Sequence, residues 1–126
     1  MPQNARKLLI YLATLALVGC TKAPSAAAIS LQSKAMECLG SLATDTCASL
    51  INITPALKRA KGVDGSCKVN ADRLASAAYR VGTQTAAERS SPYLEGSPLH
   101  RLLLERDKRL QALRESLAAF EQACIT

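Results

Sequence analysis

Five cysteines and one histidine carry most of the reactive chemistry available to this chain of 126 residues. Thiolates bind metals, attack electrophiles or join as disulfides, and spacing separates these uses. No Cys-x-x-Cys pair occurs, and His100 has no neighbouring ligand pattern, so a zinc site is disfavoured. Cys38, Cys47, Cys67 and Cys124 are an even set and read as two disulfides if the chain reaches an oxidising compartment. Other catalytic frames are absent: no nucleophile elbow, no His-Glu-x-x-His, no Walker loop and no framed pair of carboxylates. His100 beside Arg101 reads as a surface histidine, and Asp72 and Glu88 as ordinary helix-surface acids. The expectation is a non-enzyme without metal or cofactor.

The fifth cysteine, Cys20, has a different setting. Arg6-Lys7 is followed by an apolar run from Leu8 to Val18, interrupted by Tyr11 and Thr14, and then by Gly19-Cys20. A basic n-region, an apolar h-region and small residues at the cut describe a secretory signal peptide. About eleven apolar residues are too few for a spanning helix, which needs about 20. Ending in Leu17-Val18-Gly19-Cys20, the segment also resembles the lipobox of bacterial lipoproteins. The resemblance implies cleavage before Cys20, a diacylglycerol on its thiol and acylation of the new amine. Leu17, Val18 and Gly19 would be the cleavage-site residues and acyl chains on Cys20 the membrane contact. Two or more chains make such anchoring stable. Thr21 stands where aspartate retains Gram-negative lipoproteins in the inner membrane, so the resemblance implies the periplasmic side of the outer membrane.

Export also frames the charge. Two of the 16 basic side chains leave with residues 1–19, and the remainder exceed the 10 acidic ones only mildly. The basic residues are scattered and aromatics form only 3% of the chain, which argues against nucleic acid. A mild positive excess suits solubility and attraction to anionic lipid headgroups.

The elements that position the cysteines follow from periodicity. Residues 20–30 are small and read as a lipidated N-terminus and flexible tether, leaving 31–126 as the domain. Leu31, Ala35, Cys38, Leu39 and Leu42 give one apolar face from about Leu31 to Ala43. Thr44 and Asp45 offer caps for a stretch that reaches 61 as two short helices or one kinked one, Pro55 fitting a first turn capped by Thr54. Lys58, Arg59 and Lys61 sit at its end before Gly62, as a dipole-matched helix terminus or a lipid or partner patch. Asp64-Gly65 marks a loop, and Asn70 caps a third helix from Ala71 to about Arg89. Its stripe of Leu74, Ala77, Ala78 and Val81 permits close approach, although Gly82 weakens the second half. Residues 90–96 form a break, with Tyr93 and Leu94 as an exposed tip or a fold-back onto the core. Ser97-Pro98 then starts a helix with a seam of Leu99, Leu103, Leu110, Leu113, Leu117, Phe120 and Cys124, in which Arg106 fills the missing position. The seam packs on the chain's own helices or in a short coiled coil. Glu105 and Arg109 form a surface i, i+4 pair.

No strand pattern competes, so the fold class is all-α: a bundle of about four helices with short connections. Three pairings of four cysteines are open from sequence, and the bundle topology favours Cys38–Cys47 and Cys67–Cys124. The layout of acylated cysteine, small tether and stapled helical domain is similar in outline to the pilotins of bacterial secretion systems. These carry a secretin segment to the outer membrane. That implies a protein partner in the envelope and a groove beside Leu103 and Leu110 for an amphipathic segment. The alternative reading is an exclusion or immunity lipoprotein of a plasmid, phage or toxin system, followed by a structural envelope lipoprotein.

Overall fold

The computed structural model describes residues 24–90 and 98–126. The expected signal peptide and lipobox, Tyr93 and Leu94, and the expected cap at Ser97 lie outside the described residues. Five helices form the described fold: α1 (Ala26–Ser41), α2 (Thr44–Ala48), α3 (Leu50–Arg59), α4 (Gly65–Ser90) and α5 (Pro98–Cys124). No strand occurs among the described residues. Because α2 and α3 are one helical stretch broken at Ser49, the architecture is a four-part all-α bundle. Helix α4 packs against each of the other four.

Helix α1 begins at Ala26, five residues before the sequence expectation. Residues 26–30 therefore belong to the domain and not to the tether. Alanine is the strongest helix former, and Ser25 caps the run by accepting a hydrogen bond from the Ala28 N–H at 3.1 Å. Ala28 is buried, and so are Leu31, Ala35 and Cys38 at helical spacing after it. The helix stops at Leu42, whose left-handed φ of 53° lets its N–H reach the Cys38 carbonyl. That sharp stop turns the chain back over its own last turn.

Helix α2 starts at Thr44 after Ala43, and no side chain caps it. The Thr44 hydroxyl instead donates to the Gly82 carbonyl of α4 at 3.1 Å, which fixes the crossing of the two helices. Pro55 lies inside α3, not in the first turn of a new helix. Proline leaves the Ile51 carbonyl without its usual i+4 donor, and the Thr54 hydroxyl supplies one at 3.0 Å. Gly62, with φ 79°, then reverses the chain.

Helix α4 starts at Gly65, not Ala71. Asp64 is its cap, accepting from the Cys67 N–H at 2.8 Å. Asn70 is mid-helix, and its side-chain amide donates to the Ser66 carbonyl. Ala71, Ala75, Ala78 and Gly82 keep the buried face of α4 narrow. Facing it, Leu113, Leu117 and Phe120 of α5 fill the core with Leu31, Leu50, Leu57 and Leu74. Burying each of these large side chains contributes roughly 1.5–3 kcal/mol.

Gly82 is where the sequence looks weakest and the packing is tightest. A Cβ there would lie 3.0 Å from Cys47 Cβ and 3.1 Å from the Thr44 carbonyl oxygen. Both neighbours are held, one by its disulfide and one by the backbone of α2. Gly82→Ala gains up to about 1 kcal/mol of helix propensity but overpacks at a cost of about 1–3 kcal/mol. Net destabilisation of about 1 kcal/mol is expected in urea unfolding. A higher midpoint for the alanine variant would mean that α2 moves freely off α4.

Candidate functional site

The cysteines of the domain are joined as the bundle topology favours. Cys38 and Cys47 stand 4.8 Å apart at Cα with their sulfurs bonded, and Cys67 and Cys124 stand 5.0 Å apart, also bonded. The first bridge locks the turn between α1 and α2. The second ties the first turn of α4 to the last turn of α5 and so closes one end of the bundle. None of these four sulfurs remains a nucleophile or a ligand. Among the described residues, no group of three His, Cys, Asp or Glu side chains could hold a metal ion. His100 is half-buried on α5. Asp72 pairs with Lys58 at 2.8 Å, both half-exposed.

Glu88 is not an ordinary surface acid. It is 10% exposed and meets Arg109, 12% exposed, at 3.2 Å, while Arg106 reaches its other oxygen at 3.5 Å. Arg109 also donates to the Leu102 carbonyl at 2.7 Å, and its expected partner Glu105 is secondary at 3.8 Å. The charge in the seam is thus answered across the bundle, from α4. The signal for it was Arg106 itself, an ion in an apolar row.

The partner candidates separate. Leu110 is partly buried against the core and, with Leu42 and Val81, borders the ion-pair network. Leu103 is 38% exposed, and its neighbour Leu104, which lies off the seam, is 69% exposed. Arg101, Glu105, Arg106, Asp107 and Lys108 flank them in sequence, a set of mixed sign in which Arg106 already meets Glu88. A shallow groove of about 190 Å³ does run between α4 and α5, floored by Ala77 and Ala112. Its rim is Arg80, Glu105, Lys108 and Arg109, so neither Leu103 nor Leu110 lines it. The lower seam (Leu113, Leu117 and Phe120) is core and unavailable to a partner.

A larger cavity of about 530 Å³ opens at the disulfide-closed end. It lies between the start of α1 (Pro24, Ala28), the α3–α4 turn (Lys61, Val63) and the end of α5 (Cys124, Ile125). Comparison with known proteins adds no assignment to these features. No family model, curated protein or solved structure matches the chain. No helix of the described residues is long and apolar enough to cross a membrane.

Proposed function

We propose that this chain is a lipid-anchored, non-catalytic interaction module on the periplasmic side of the bacterial outer membrane, acting as a pilot or adaptor for an envelope or secretion assembly. The observation that carries the reading is Leu17-Val18-Gly19-Cys20 placed directly ahead of a helical domain whose other four cysteines are bonded in pairs. Acylated Cys20 supplies the membrane contact, and the bridges suit an oxidising compartment. The exposed Leu103–Leu104 edge suits the apolar face of an amphipathic partner segment.

The test is a crosslinking pull-down from native membranes with a tagged protein that keeps its leader. Recovery of a secretin or another envelope-assembly protein is expected, with loss of that partner in Leu103→Glu and Leu104→Glu variants that still fold. Capture of a toxin or a transfer-apparatus protein instead would establish the exclusion or immunity reading. Cys20→Ala is expected to leave the precursor uncut and without lipid, shown by intact mass and membrane fractionation. Normal outer-membrane anchoring of that variant would defeat the lipobox reading.

A further inference from the structure

The geometry points to an orientation: the cavity end of the bundle faces the bilayer, with Arg59 and Lys61 against anionic lipid headgroups. This rests on the lipoprotein reading and deepens it. Only Thr21, Lys22 and Ala23 separate Cys20 from Pro24, which sits on the wall of the cavity. Four extended steps span at most about 14 Å, so an acylated Cys20 keeps the cavity mouth that close to the headgroup layer. A tether running on to Ser30 would have allowed about 35 Å and no fixed face. The start of α1 at Ala26 removes that freedom.

Lys61 lines the same cavity as Pro24, and Arg59 is two residues before it at the end of α3. Both side chains are exposed. Among the described residues, the ion pairs take neither of them. Lys58 is held by Asp72, while Asp64, exposed on the same cavity and accepting from the Cys67 N–H, is the side-chain carboxylate that opposes Arg59 and Lys61 there. The separation imposed by the tether is comparable to the Debye length of roughly 8–10 Å at physiological salt, so these cations feel the surface potential. Each basic side chain at an anionic surface contributes roughly fivefold in membrane binding. Ala28, Val63 and Ile125 give the cavity apolar walls, and Ser25 and Thr126 add hydroxyls beside the Lys61 ammonium, a mixed lining that suits the headgroup layer.

The experiment uses full-length protein processed in cells, with acylation of Cys20 verified by intact mass. It is reconstituted into phosphatidylethanolamine vesicles containing phosphatidylglycerol and treated with a membrane-impermeant amine-acetylating reagent. Peptide mass spectrometry is expected to show Lys61 labelled roughly fivefold or more slowly than in detergent, with Lys34 and Lys108 unchanged as internal references. High salt, or phosphatidylcholine in place of phosphatidylglycerol, should relieve that protection. A vesicle-to-detergent rate ratio for Lys61 equal to that of Lys108 in verified acylated protein overturns the orientation. Undiminished protection on neutral vesicles overturns the role of headgroup charge. An unmodified Cys20 overturns the lipoprotein reading itself, and the orientation with it.

Discussion

Replacing Cys67 and Cys124 together by alanine is expected to lower the unfolding free energy of the domain by about 4 kcal/mol. The bridge spans 57 residues, and in the chain-entropy account a loop of that length removes far more freedom from the unfolded chain than a short one. Cys38–Cys47 spans nine and is worth roughly 2–3 kcal/mol by the same account. Small domains are commonly stable by only about 5–15 kcal/mol, so loss of the long bridge removes a large share. Alanine is the right replacement at both positions. Cys67 is buried, and a serine hydroxyl there would need a hydrogen-bond partner of its own. Replacing both cysteines avoids leaving a stray thiol to exchange with Cys38–Cys47. The measurement is urea unfolding of the processed domain, with wild type and the Cys38→Ala/Cys47→Ala variant in parallel. The long-bridge variant should have the lowest midpoint of the three. Equal midpoints for the two bridge variants would contradict the loop-length argument and place the stabilising effect in local packing.

The long bridge was legible before any coordinates because it follows from topology. Antiparallel α4 and α5 bring the start of one to the end of the other, and the leucine spacing had located α5. Local conflicts were less legible. The alanine-rich run after Pro24 has the composition of a tether, yet buried Ala28 and the Ser25 cap make it the first turn of α1. Asp64-Gly65 carries the signature of a turn, and the same aspartate oxygen serves equally as a helix cap. Pro55 marks a helix start in sequence but stands inside α3, where the Thr54 hydroxyl satisfies the carbonyl that proline strands. Each case turns on which partner a polar group finds, and periodicity holds no record of that. The Leu103–Leu104 edge shows the same limit. Leu103 belongs to the apolar seam by spacing, and only the packing reveals that the seam is buried at Leu99 and again from Leu113 onward, with Leu103 exposed between them. Glu88 and Arg109 are 21 residues apart, so no local rule could have paired them.

That pair gives the second large effect. Glu88→Ala is expected to destabilise the domain by about 3 kcal/mol, because it leaves the Arg109 guanidinium 12% exposed and without its main counter-ion. The loss is not the worth of the ion pair. It is mostly the cost of a largely buried charge left with only the more distant Glu105 and the Leu102 carbonyl, and a double-variant cycle separates the two. Arg109→Met removes the charge while keeping an unbranched apolar side chain in its place. In that background Glu88→Leu should restore stability to within about 1 kcal/mol of wild type, since an apolar pair of similar volume often replaces a buried ion pair at little cost. Arg106, with 44% of its side chain exposed, softens the single Arg109→Met change by remaining beside Glu88. It cannot soften Glu88→Ala, which deprives both arginines at once. Chemical unfolding of wild type, Glu88→Leu, Arg109→Met and the double variant closes the cycle, with Glu88→Ala measured beside them. A Glu88→Ala cost below about 0.5 kcal/mol would match a solvent-exposed pair and would deny the network any part in holding α5 on α4. A recovered double variant has a further use. If it folds normally yet loses a partner that wild type captures, the Glu88–Arg109 pair serves recognition as well as the packing of α5 on α4.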